Sequence, residues 1–228
     1  YSARRGFWFS HVGWILRNYP SGVNDFTNAK DLERDPIVMF QHRWYVPLTI
    51  AMNVGLPLAL GWAVGDMWGV FLLGGLLRLV INHHFTWFIN SLAHMWGTQP
   101  YTDENTARDN PVLAFLTYGE GYHNFHHIFQ NDYRNGVKWW HFDPTKWLIG
   151  ALSAMGLAEN LKKVPDLWIQ RAQIAMQFKR MEAALDKRRA RGSDENVERL
   201  KARVADEYAA FRKALDEWAK LRDQWVTD

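Results

Sequence analysis

Residues 48–65, LTIAMNVGLPLALGWAVG, contain no charged side chain in eighteen positions. A run of that length is what an α-helix needs to cross a hydrocarbon core. Lipid also restricts the fold, because a spanning segment must satisfy its own backbone hydrogen bonds. Trp44 and Tyr45 flank the start of the run and Trp62 and Trp68 its end, where interfacial aromatic belts sit. Pro57 predicts a kink, which membrane helices tolerate. After a turn at Asp66, residues 67–97 run for thirty-one positions with one formal charge, Arg78. As one helix they would extend roughly 45 Å, beyond a core of about 30 Å, so the last turns are expected to leave the lipid. Those turns carry Trp87, Asn90 and His94 at i, i+3 and i+7, on one face. His83 and His84 read more naturally as hydrogen-bonded helix histidines than as ligands. A pair of buried helices in a soluble protein is the competing explanation of the two runs.

A hairpin of two spans would leave both flanks on one side. Arg4, Arg5, Arg17, Lys30, Arg34 and Arg43 precede it and few charges lie in its turn, which places the flanks in the cytoplasm by the positive-inside bias. Residues 1–19, a basic start followed by aromatics, suit either a membrane surface or an ordinary soluble helix. Residues 20–36 read as a loop with a short helical piece. The chain opens on Tyr1 rather than Met and reads as part of something longer. The expected class is an all-α membrane protein. Its segments are an interfacial piece (1–45), the transmembrane hairpin (46–97), a cytoplasmic histidine-rich domain (98–165) and a charged helical tail (166–228).

The chemistry concentrates in residues 119–127, GEGYHNFHH. Three imidazoles fall within five positions, and on a helix His123 shares a face with His126 and His127. Neutral imidazole is a ligand for iron, zinc, copper or nickel, so the cluster reads as a metal site. Gly119 and Gly121 let the backbone turn tightly ahead of it. Glu120 is placed to accept the second N–H of a liganding ring and fix its tautomer. With no cysteine in the chain, disulfides, thiolate metal sites and a cysteine nucleophile are excluded. A net charge of +3 is too small to argue for nucleic acid.

Beyond the cluster, Asp143 and Pro144 read as a helix N-cap and first helical residue, opening an amphipathic helix over 145–158. In the tail, Val197, Leu200, Val204, Phe211, Leu215, Trp218 and Trp225 keep to helical steps. That stripe predicts one helix over 197–225, needing a cover. A second copy, the membrane surface or the domain's own face would serve, and a surface-lying or self-docked helix is favoured. The basic run at 187–191 could meet anionic headgroups.

FSHVGW (9–14), TWFINSLAH (86–94) and GEGYHNFHH (119–127), in this order around a membrane hairpin, resemble the membrane-bound acyl-CoA Δ9 (stearoyl-CoA type) fatty acid desaturases, bacterial branch. The resemblance covers about residues 1–165. It implies a centre of two iron ions (Fe2+) held almost entirely by histidines. His123, His126 and His127 match its third histidine box, His94 matches a further ligand, and Asn90 matches a position that reaches the metal through water. Trp87 matches a residue lining the acyl tunnel, and Arg17 lies near a position that contacts the CoA head group. Asn18 stands where animal enzymes carry a lysine after that arginine, which leaves the acyl carrier open. The family's first two boxes, HxxxxH and HxxHH, do not occur in these residues, so they hold only part of the ligand set and are not expected to turn over alone.

The implied reaction takes O2, two electrons and a saturated acyl-CoA, or another acyl substrate, and yields a cis double bond. Removing hydrogens from an unactivated methylene is work for a cofactor rather than for side chains. Electrons would come from a separate carrier of cytochrome b5-, ferredoxin- or rubredoxin-like type, and the bilayer is itself a partner. An acyl-lipid desaturase or another histidine-box membrane hydroxylase shares the ligand logic. A non-catalytic membrane metal-binding protein is the third reading.

Overall fold

The computed structural model describes residues 2–17, 26–27, 29–190 and 195–227, with side chains described as far as Trp218. Asn18 and much of the expected loop over 20–36 therefore lie outside the described residues, as does the Trp225 side chain. Every regular element described is helical, joined by two isolated β-bridges. The chain divides into two compact units, Tyr1–His94 and Met95–Asp228.

In the first unit, Phe9–Gly13 forms a π-helical turn that buries Ser10 and His11. The Asp35 carboxylate caps Pro36–Arg43, accepting from the N–H groups of Ile37 (2.8 Å) and Val38 (3.3 Å). The helix Tyr45–Val64 follows, and among the described residues it alone is long and apolar enough to cross a membrane. A π-helical segment, Ala51–Gly55, lies just ahead of Pro57, where the proline removes a backbone donor and crowds the preceding turn. Gly65, at φ 83°, ends the helix in the left-handed conformation that glycine adopts without strain. Asp66 then caps the return helix, its carboxylate accepting from Gly69 N–H at 2.9 Å.

The return helix packs backbone to backbone on the first. A methyl group at Gly61 would stand 2.6 Å from Met67 Cα, and one at Gly75 would stand 2.9 Å from the Asn53 carbonyl. Between them the Arg78 guanidinium bonds the Asn53 side chain (2.5 Å) and the Gly74 carbonyl (2.8 Å). The one charge of this segment is therefore held by polar groups of the hairpin itself. The return helix runs over 67–90 and then stops. Ser91, at φ −112° and ψ −77°, breaks it, and Leu92–His94 forms a single 3₁₀ turn. The helix expected to reach residue 97 thus ends seven residues short. The Ser91 hydroxyl turns back on the Trp87 carbonyl at 2.9 Å, a local bond of the kind that competes with helix continuation.

In the second unit, Thr98, Asp109 and Tyr122 are joined by β-bridges. Asn110 caps Pro111–Leu116, its carbonyl oxygen accepting from Val112 N–H (2.9 Å) and Leu113 N–H (3.2 Å). The helix Pro144–Ala154 starts at the predicted N-cap, Asp143, which accepts from Lys146 N–H at 2.9 Å, and ends short of the expected 158. Tyr101, Phe125 and Ile169 form the core, with Phe129, Val137, Val164 and Ala172 around them.

The tail is two helices, Asp166–Arg189 and Glu195–Thr227. The first supplies Ile169 to the core and the cover for the second, roles not anticipated from sequence. Leu185, Val197 and Val204 are buried together against Phe178, whose ring also meets Tyr208 at 4.8 Å. Lys201 pairs with Asp186 (2.6 Å) and Arg189 with Glu198 (2.8 Å), so one arginine of the basic run faces the neighbouring helix. For the part of the stripe that is described, the cover is the neighbouring tail helix.

Candidate metal centre

The histidine helix spans His123–Ile128. At 100° per residue His123, His126 and His127 fall on one side, and Asn124 and Phe125 on the other. That second side is wholly buried, with Asn124 and Phe125 both at 0% exposure. The Asn124 amide uses its full hydrogen-bonding capacity. Its Nδ2 donates to the carbonyls of Thr102 (2.9 Å) and Ala107 (3.0 Å), and its Oδ1 accepts from the N–H groups of Tyr101 (2.9 Å) and Thr102 (3.3 Å). The polar loop before the helix is thus sewn to its rear face. Asp109 closes the N-terminus, accepting from Asn124 N–H (2.8 Å) and Phe125 N–H (3.2 Å). Burial outweighs these two donors and pushes the Asp109 carboxyl up to about 7.

The glycines serve close approach. A methyl group at Gly121 would lie 2.0 Å from Ala114 N, so the segment entering the histidine helix crosses directly over the helix Pro111–Leu116. Gly119 has φ 108° and would meet the Asp143 carboxylate. Asp143 in turn accepts from Asn135 N–H (2.8 Å) and Gly136 N–H (2.9 Å), fixing the turn that follows the box.

On the other face, the Nε2 atoms of His123 and His127 lie 3.1 Å apart, with ring centroids at 4.5 Å. The His126 ring is 6.1 Å from each of them and stands beside the converging pair rather than in it. His123 is buried and the other two are half-buried. Burial first, and then the neighbouring His126, hold His127 below the usual imidazole range. It is therefore neutral at ordinary pH, which is the ligand form. Two imidazoles with converging nitrogens fit a divalent transition metal, and these histidines belong to a cluster that could hold one.

Glu120 accepts from Asn135 Nδ2 at 2.8 Å, a bond within the surrounding loops. His141, which the sequence did not single out, stacks on Tyr122 at 4.4 Å with its Nδ1 buried and unbonded.

In the first unit, Asn90 closes the return helix and His94 the 3₁₀ turn after it, its N–H donating to the Ser91 carbonyl at 3.1 Å. Trp87 is half-buried and ringed by imidazoles, with His84 at 5.1 Å, His11 at 5.5 Å and His83 at 5.7 Å. His83 Nδ1 bonds the Leu79 carbonyl at 2.7 Å and His84 Nδ1 bonds His11 Nε2 at 2.9 Å, as expected of hydrogen-bonded helix histidines. Arg17 lies exposed at the bend after the π turn.

Among the described residues every regular element is helical, and histidines converge on one helix face as a candidate metal site. The fatty acid desaturase family model matches residues 1–160, and the chain belongs to that family. It is 44% identical over 194 residues to a probable acyl-CoA desaturase of Schizosaccharomyces pombe, covering 84% of this chain and 39% of the relative. Acyl-CoA desaturase 1 of Saccharomyces cerevisiae is 42% identical over 182 residues, 79% of this chain and 36% of that protein. The sn-1 stearoyl-lipid 9-desaturase of Anabaena variabilis is 35% identical over 162 residues, 71% of this chain and 57% of that protein. The matched residues span roughly a third to somewhat over half of each relative's length.

Proposed function

We propose that the full-length protein inserts a cis double bond, at Δ9, into a saturated acyl-CoA, using O2 and two electrons from a separate carrier. The observation that carries this reading is the convergence of His123 and His127 on one helix face inside a desaturase-family chain. His94, His123, His126 and His127 hold two iron ions, with Asn90 reaching the metal through water. Bound iron supplies the oxidising chemistry that removes hydrogens from an unactivated methylene. The protein's own part is to hold neutral imidazoles on a helix fixed from behind by Asn124 and Asp109, and to guide the acyl chain past Trp87 in an apolar setting. Arg17 offers a cation to the CoA phosphates, and Glu120 supports the box through the Asn135 turn.

The hairpin crosses the bilayer twice, with both flanks cytoplasmic, in the inner membrane of a bacterium. Glycine-mediated packing of the two helices and the hydrogen-bonded Arg78 support this topology. The names of the relatives favour acyl-CoA as carrier over acyl-lipid in two of the three described. Full-length protein in membranes, given saturated acyl-CoA, O2 and a reductant-coupled carrier, is expected to form monounsaturated product without retained oxygen. A hydroxylated product would overturn the desaturase assignment in favour of a hydroxylase.

A further inference from the structure

His11 is 1% exposed and Ser91 0%, and the two are eighty residues apart in sequence. His11 Nδ1 lies 3.0 Å from Ser91 Oγ, and His11 Nε2 lies 2.9 Å from His84 Nδ1. The roles of the ring nitrogens depend on the tautomer, and one assignment satisfies every contact of this chain. The Ser91 hydroxyl spends its one proton on the Trp87 carbonyl at 2.9 Å, so its oxygen accepts from His11 Nδ1–H. His11 Nε2 then carries the lone pair and accepts from His84 Nδ1–H. One ring therefore clasps the return helix at two points seven residues apart, on either side of Trp87. The ring cannot turn away, because Phe7 stacks on it at 5.0 Å while Phe88 (5.0 Å) and Trp87 (5.5 Å) close its flanks. The π-helical turn Phe9–Gly13 carries His11 into this place, and such turns recur at functional sites.

Ser91 is where the helix breaks. The bond from His11 holds its side chain in the turned-back position, and its carbonyl receives the His94 N–H at 3.1 Å. We infer that His11 is a positioning residue for the ligand-bearing turn 90–94: it pins Ser91 at the helix break and so sets where Asn90 and His94 stand. The inference rests on the proposed role of His94 as an iron ligand. The histidine of FSHVGW then binds no metal itself, and acts through Ser91.

The test uses full-length protein in nanodiscs with His11→Ala, His11→Asn and Ser91→Ala, reading amide hydrogen exchange over residues 91–94 and iron per folded protein. Asn places an N–H donor where His11 Nδ1 lies. Exchange at 91–94 is expected to accelerate by about tenfold or more in His11→Ala and to return most of the way in His11→Asn. Iron content should follow the same order, and His11→Ala/Ser91→Ala together should be little worse than either alone. Unchanged exchange at 91–94 in His11→Ala, or no rescue by His11→Asn, would overturn the positioning role whatever the iron content does. Exchange that responds as expected while His94→Ala leaves bound iron intact would instead overturn the ligand role of His94 and leave the clasp standing. If His11→Ala does not fold, His11→Asn and Ser91→Ala carry the same comparison.

Discussion

His123 and His127 present their Nε2 atoms to each other at 3.1 Å, one turn apart on the same helix. Two imidazolium ions could not be held that way, so the pair accepts a metal only when unprotonated. His127 is already held below the ordinary range by burial and by His126. Protons should therefore displace the metal only below the usual imidazole value of about 6.5. In Co2+ titrations of the metal-free full-length protein, affinity should be flat from neutral pH downward at first and then fall steeply. An affinity that rises on acidification would contradict histidine ligation.

The rear of the helix should matter as much as its front. Asn124→Ala would leave the carbonyls of Thr102 and Ala107 and the N–H groups of Tyr101 and Thr102 without their buried partner. Each such group costs on the order of 1–3 kcal/mol, so a loss of at least about 2 kcal/mol is expected in denaturant unfolding. Phe125→Ala, at a site with no exposure, should cost about 3–5 kcal/mol. Near-neutral stability for Asn124→Ala would show that the loop over 98–110 is not held through this amide.

Acid sensitivity should have an identifiable source in His141. Burial, then Lys146 and Lys138, lower it to about 4. Between that value and the unfolded value of about 6.5, the unfolded chain binds a proton that the folded chain does not. Its contribution is therefore complete above about pH 6.5 and is lost as pH falls toward 4. His141→Phe, which keeps a ring on Tyr122, should flatten the fall of thermal midpoint across that window. An unchanged slope would assign the acid sensitivity elsewhere.

The two tail helices should separate cleanly on truncation. Removing residues 190–228 uncovers Leu185 and Phe178 but leaves Ile169 against Phe125. Iron binding and turnover should then persist. Removing residues from 166 onward takes Ile169, Lys179 with its 2.6 Å pair to Asp103, and Arg180 with its bond to the Gln99 carbonyl. That chain should lose its folded histidine helix. Loss of turnover in the shorter deletion, with the protein still folded, would make the last helix part of the working enzyme.

What could be read from the sequence was local. The Gly65–Asp66 reversal, the Asp143–Pro144 helix start and the HxxHH spacing each depend on residues within one or two turns of each other, and each stands where expected. The return helix ended early because a serine six residues before the expected end is turned back on its own helix and met by His11. Asn124 lay in plain view inside the box, opposite the ligands, but its partners at Tyr101, Thr102 and Ala107 are some twenty residues away. Ile169 reaches Phe125 from a helix that reads as solvated charge. In each case the deciding contact joins segments that no periodicity relates.

Iron content of the purified full-length protein tests the central claim most directly, with His94, His123, His126 and His127 each changed to Ala beside His83→Ala as a control. Each of the four substitutions should lower bound iron and abolish double-bond formation, while His83, bonded to its own helix at Leu79, should be dispensable for both. Full iron and full turnover in any of the four would contradict the assignment of that residue, and in all four would contradict the metal centre itself.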